Sequence, residues 1–121
     1  MVSKKQKAFY RGIEAEKWAA LWLRMKGFHI VETRFKTRCG EIDLIARRGN
    51  LVLIVEVKAR STLAEAILSI DQMKKKRIES AADIWLARQK DYSLLCIRFD
   101  FIAILPWRFP YHIPAFFISD R

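Results

Sequence analysis

A chain of 121 residues, 52% of them hydrophobic, holds material for one packed domain and not for two. Its 23 Lys+Arg against 13 Asp+Glu give a formal net charge of +10, which favours nucleic acid or an anionic surface as partner. No apolar run approaches a membrane span or a signal core, and Cys39 and Cys96 stand in no metal-ligand spacing, so a cytoplasmic location with reduced thiols is expected.

Residues 7–26 read as a helix ended by Gly27. Phe9, Ile13, Glu16, Ala20 and Leu23 recur at helical spacing and form one stripe. Glu16 is the single charge on that stripe. It either joins a carboxylate cluster or sits at the stripe's edge, paired with a basic residue or reaching solvent. Residues 28–36 read as a first strand, along which Arg34 and Lys36 alternate, with Arg38 just beyond.

Residues 41–48 and 51–58, rich in Ile, Val and Leu, read as two strands joined by a Gly49-Asn50 turn. That turn sets Arg48 against Leu51, which puts Asp43 across from Glu56 and Glu41 across from Lys58. These four project to one face, while Ile42, Leu44, Val55 and Val57 project to the other as core. Two opposed carboxylates repel. A divalent cation reverses the sign, because Mg²⁺ is commonly held by one or two carboxylates together with phosphate oxygens. Lys58, two residues beyond Glu56, is then placed to polarise a phosphate or orient a water. An ordinary half-exposed hairpin with a cross-strand ion pair has the same alternation.

Residues 60–69 read as a loop or the start of a helix, placed to gate such a site. Residues 69–90 form a second helix, with Lys74, Lys75 and Arg77 in a basic run near its start and Gln72 as a further candidate site residue. Residues 94–105 are nearly continuously apolar, as in a strand covered on both faces, and 111–118 form a last extended segment. The aromatic stretch from Trp107 to Phe117 has three readings: core over the sheet edge, a self-association surface, or a base-stacking platform. Arg34, Lys36, Arg38, Arg60, Lys74, Lys75 and Arg77 are the candidate nucleic-acid contacts. His29 and His112 are too few and too far apart for a zinc or HNH site, and four glycines form no phosphate loop.

Gly12, Glu16, Ala19, Ala20, Leu23, Gly27 and Phe28 open a longer pattern. It continues through Gly40-Glu41-Ile42-Asp43-Leu44-Ile45-Ala46, Val55-Glu56-Val57-Lys58-Ala59-Arg60, Lys74, Arg77-Ile78 and Arg98-Phe99-Asp100. Over roughly residues 12–118 this resembles the YraN family of small bacterial proteins, in the PD-(D/E)xK nuclease superfamily, and is similar to archaeal Holliday-junction resolvases. Ala15 replaces a glycine frequent in the family, and the loop after Arg60 lacks a Phe-Gly pair common there.

The resemblance implies an α/β fold of αβββαβ order: a restriction-endonuclease-like core whose central mixed sheet is flanked by helices, the whole chain forming one nuclease-like domain. It implies a Mg²⁺- or Mn²⁺-dependent DNA endonuclease leaving 5′-phosphate and 3′-hydroxyl ends, acting on duplex or branched DNA. Asp43, Glu56 and the Val57 backbone carbonyl would ligate the metal, Glu16 would join through water, and Lys58 would be the catalytic lysine. A homodimer is expected if two strands of a junction are cut symmetrically. A membrane partner and a small-molecule cofactor are not expected. The alternatives are a nucleic-acid-binding module without catalysis and a protein-interaction subunit that uses the aromatic C-terminal stretch.

Overall fold

The computed structural model of the chain describes residues 3–117, apart from the side chains of Phe9 and Tyr10. Helix α1 (Lys4–Met25) starts at Ser3, whose hydroxyl accepts from the Gln6 amide while the Gln6 side chain accepts from the Ser3 amide. Two otherwise unpaired N–H groups are thereby satisfied, so the helix begins earlier than the apolar stripe. It ends before Gly27, whose φ of +90° suits glycine. Phe9, placed on the stripe by its spacing, has its side chain outside the described residues. The buried stripe is Ala15, Ala19, Ala20 and Leu23.

Strands β1 (His29–Lys36), β2 (Glu41–Arg48) and β3 (Leu51–Ala59) form an antiparallel meander, with Arg48 facing Leu51 as the turn requires. Helices α2 (Leu63–Leu68) and α3 (Gln72–Ala87) cross over to β4 (Cys96–Ile104), which lies parallel to β3, and β5 (Tyr111–Phe117) pairs antiparallel with β4. Residue 118, the expected end of the last segment, lies outside the described residues. The sheet order is β1-β2-β3-β4-β5. This is the α/β architecture expected, a mixed sheet flanked by helices and consistent with a restriction-endonuclease-like core. Among the described residues no helix is long and apolar enough to cross a membrane, and both cysteines are free and exposed.

On one sheet face α1 packs Ala15, Ala19 and Leu23 against Leu44, Val55, Val57 and Ile102. On the other, Ile78, Ala81 and Trp85 of α3 meet Ile42, Ile45, Val52 and Ile54. Strict alternation would put Ile42 beside Leu44, yet it lies on the α3 side. The alternation breaks around Asp43, where the neighbouring strand has Arg34 at φ +52° between the pairs Thr33↔Leu44 and Phe35↔Ile42.

The stretch after Arg60 takes the helical alternative and packs α2 on the sheet. Thr62 caps it by accepting from the Glu65 amide, and Ala66 and Ile70 join Phe101, Ala103 and Leu105 in the core. Leu63, Ala66, Ile67 and Ile70 stand at helical spacing, which is what gives this short helix an apolar face. The aromatic stretch divides. Phe117 stacks on Phe99 at 4.7 Å and Phe116 leans on Phe101 at 5.0 Å between ring centroids, whereas Trp107 and Phe109 stand in solvent.

Candidate active site

The β2–β3 ladder runs from Arg48↔Leu51 to Leu44↔Val55. At the next position a side chain takes over: Asp43 Oδ2 accepts from the Val57 amide at 2.8 Å. Beyond it opens a cavity of about 340 Å³, walled by Gly12 and Glu16 of α1, Asp43 of β2, Glu56 and Lys58 of β3, and Lys74 of α3. Arg11, Glu41 and Arg60 stand at its edge. The cross-strand spacing thus brings Asp43, Glu56 and Lys58 to one site as expected, although the recorded ladder stops short of pairing Glu41 with Lys58.

Its electrostatics are unusual. Glu56 is 3% exposed, and neither of its carboxylate oxygens has a hydrogen-bond partner. The ammonium groups of Lys58 and Lys74 lie 3.5 and 3.6 Å from Oε1. Burial, reinforced by the charge of Glu56 and by the hydrogen bond a protonated Asp43 makes to Glu56, pushes the Asp43 carboxyl up to about 7, against the lowering effect of the Val57 amide. Glu16 is raised as well, first by burial and further by Asp43, while its hydrogen bond from Arg34 opposes this. Arg34 Nε donates to Glu16 Oε1 at 2.9 Å. Glu16 therefore borders the same cavity as Asp43, but its near partner is a guanidinium.

Gly40 explains how α3 reaches the site. A Cβ there would sit 2.5 Å from the Arg77 carbonyl oxygen. The β1–β2 turn closes that tightly because the Thr37 hydroxyl donates to the Gly40 carbonyl and accepts from the Cys39 and Gly40 amides. A second cavity of about 430 Å³ follows, lined by Arg38, Glu41, Lys74 and Arg77 among others. Lys74 and Glu41 border both cavities.

The candidate contacts therefore separate. Arg60 and Lys74 line the acidic cavity, and Arg38 and Arg77 the neighbouring one. Lys36 is exposed on β1, in register with Glu41. Arg34 belongs to Glu16. Lys75 turns away from the site, its ammonium over the Phe116 and Phe117 rings at 5.4 and 5.8 Å. Gln72 is exposed at the start of α3 and lines neither cavity. Arg11 was not among the expected site residues. Its signal was the small residues Ala8 and Gly12, two turns and one turn before Glu16, which leave room on that face of α1.

A second buried carboxylate entered the sequence reading only within the Arg98-Phe99-Asp100 motif, with no role given to it. Asp100 on β4 accepts from Arg98 Nε and Nη2, both at 2.8 Å, and from the Ala115 amide at 3.0 Å, and it lies 2.7 Å from His112 Nε2. Burial by itself would raise Asp100, but the hydrogen bonds from His112, Arg98 and Ala115 hold it below the usual carboxylate range. Lys26 Nζ approaches His112 Nδ1 at 2.9 Å, tying β5 to the end of α1.

Two oxygens of a buried carboxylate without hydrogen bonds, beside a second acid with a raised pKa, suit a hard divalent cation. Among the described residues no group of three His, Cys, Asp or Glu side chains is placed to hold a metal ion. A Mg²⁺-type site does not need one, since water and phosphate oxygens fill its remaining positions.

The family model described as "Uncharacterised protein family UPF0102" matches residues 15–104, a span that takes in Glu16, Asp43, Glu56, Lys58 and Lys74. The chain belongs to the UPF0102 family. The resemblance to YraN proteins is this same family. A UPF0102 protein of Bartonella henselae is 75% identical over 117 residues, covering 97% of this chain and 93% of its own. One from Bartonella tribocorum is 77% identical, with 97% and 90% covered. A UPF0102 protein of Brucella canis is 57% identical over 118 residues, with 98% and 94% covered. The UPF0102 site thus rests on the geometry above, since none of these names states an activity.

Proposed function

We propose that the acidic cavity is the active site of a divalent-metal-dependent endonuclease that hydrolyses phosphodiester bonds in DNA, including branched DNA. The observation that carries this reading is Glu56: a buried carboxylate with no hydrogen bond, next to Asp43 and flanked by two lysines. A group left unsatisfied at such a depth is costly unless a ligand completes it.

Asp43 and Glu56, with the Val57 carbonyl as a further donor, would hold Mg²⁺ or Mn²⁺. Such an ion supplies charge stabilisation at the scissile phosphate and a water of lowered pKa. Lys58 is placed to orient the attacking water and to steady charge building on phosphate oxygens. Lys74 reaches the same carboxylate from α3, and with Arg11 and Arg60 at the rim it would grip the backbone on either side of the cut. Glu16, held by Arg34, would act through water. A cytoplasmic location and cutting by a pair of copies belong to the same reading.

A second reading is a DNA-binding module that keeps the site without turnover. What favours it is that Lys58 and Lys74 already offset the charge of Glu56. The deciding experiment incubates the protein with a four-way DNA junction and matched linear duplexes in Mg²⁺, Mn²⁺ or EDTA, beside Glu56→Ala. Metal-dependent cutting that the variant loses is expected. Binding of these substrates without cutting in either metal would leave the second reading in place.

A further inference from the structure

A third cavity, about 470 Å³ in volume, lies along the same end of the sheet, lined by Trp18, Ile104, Leu105, Trp107, Arg108 and Phe109. Its aromatic walls are open to water: Trp18 is 53% exposed, Phe109 83%, and Trp107 fully. Trp107 also holds a left-handed backbone, φ +59°, which is unfavourable for a bulky residue. Exposed aromatics gathered at a groove mark an interaction surface rather than unfinished core.

We propose that this groove stacks the bases of unpaired nucleotides, so that the substrate of the neighbouring acidic cavity is nucleic acid with a single-stranded arm. The inference rests on the nucleic-acid reading of that cavity. Three observations carry it. The first is composition: aromatic faces beside a guanidinium are the elements with which proteins hold single strands without regard to sequence. Bases already stacked in a duplex cannot use them.

The second is position. Arg60 lines the acidic cavity and Ile104 the groove, and the Arg60 amide donates to the Ile104 carbonyl at 3.3 Å. One strand leaving the acidic cavity passes directly onto the rings. The third is charge. Arg108 sits in the groove and the chain carries a net +10. A polyanionic strand complements that, whereas a second copy would bring like charges together.

The test measures binding of a labelled forked DNA and of a blunt duplex, without divalent metal, to the wild-type protein, to a Trp107→Ala/Phe109→Ala variant and to Trp107→Phe. The wild type should prefer the fork. The double variant should bind the fork roughly tenfold or more weakly with duplex affinity unchanged, and Trp107→Phe should keep most of the preference because it keeps a stacking face. Equal fork affinity in wild type and double variant overturns the proposal, as does equal loss on both DNAs. A wild-type dimer that becomes monomeric in the double variant, with fork affinity intact, would assign the groove to a second copy and overturn it too. Cleavage by the wild type in Mg²⁺ or Mn²⁺ is scored separately. Loss of fork preference in a protein that never cuts sinks the nuclease reading and leaves the groove, whereas cutting with no effect of the double substitution does the reverse.

Discussion

Glu56 and Asp100 sit on neighbouring parallel strands and are almost equally buried, at 3% and 2% exposure, yet their surroundings are opposite. Asp100 receives hydrogen bonds from Arg98 and the Ala115 amide and sits against His112. Glu56 receives none from backbone or base, and has beside it only the Asp43 carboxyl and two ammonium groups at 3.5 and 3.6 Å. The difference teaches where to look for chemistry. A satisfied buried carboxylate is a structural joint, whereas an unsatisfied one keeps its lone pairs for something that binds. Asp100 joins β4 to β5 and, through His112 and Lys26, to α1. Glu56 faces a cavity, with the ammonium groups of Lys58 and Lys74 as its ion-pair partners.

Exchanging the two roles by mutation gives the largest effects. Asp100→Ala should destabilise the fold by about 3–5 kcal/mol, because Arg98 and His112 lose a buried partner. Urea unfolding would show this, while the cutting rate per folded molecule stays close to wild type. Glu56→Gln should do the opposite. It removes a buried charge together with its ion pairs to Lys58 and Lys74, both of which can turn to solvent, so stability changes less than for Asp100→Ala, yet cleavage falls on the order of 10²–10³-fold, the scale for losing one preorganised electrostatic group. Equal stability losses in both variants would erase the distinction.

The next effect is pH dependence at the acid site. The folded pKa of Asp43, about 7, stands above its ordinary value of 3.8. The folded protein therefore holds this proton longer than the unfolded chain does. The contribution to stability is full below pH 4 and is lost as pH rises through about 7. Metal-free protein should lose part of its thermal stability across that window, and Asp43→Asn should flatten the loss. Mg²⁺ should restore more stability at pH 8 than at pH 6, because the ligand must be deprotonated to bind. At a hundred times its Kd the gain is about 2.7 kcal/mol. A metal effect independent of pH would remove Asp43 from the ligand set.

Much of this site was legible in the sequence because it lies on one hairpin. A two-residue turn fixes register, and register fixes which side chains meet, so Asp43, Glu56 and Lys58 could be placed from their numbers. Ile42 was misplaced because the alternation breaks around Asp43, beside the left-handed Arg34 of β1, which strand periodicity does not show. The role of Asp100, seen in the sequence only as part of a motif, was illegible because His112 and Ala115 join it only once β5 folds back on β4. Nor could charge alone show that Arg34 and Lys75 would be committed inside the fold. Gly40 was visible only as part of a motif. The structure adds the reason, contact with the Arg77 backbone. Gly40→Ala should cost about 1–3 kcal/mol through overpacking, read as a lower urea midpoint. An unchanged midpoint would mean that the turn moves freely away from α3.

The smallest effects separate two adjacent lysines. Lys74 points its ammonium at Glu56, while Lys75 covers the Phe116 and Phe117 rings. Both carry one charge, so a surface that attracted DNA by net charge alone would lose the same amount from either substitution. A site with geometry would not. Lys74→Ala should weaken DNA binding, reduce the slope of log affinity against log salt by about one phosphate contact, and slow cutting. Lys75→Ala should leave cutting unchanged and lose about 0.5–1 kcal/mol of stability, the scale of an exposed cation–π contact. Measured side by side in a salt titration, the pair decides whether the positive charge of this chain is organised around Glu56 or only spread over its surface.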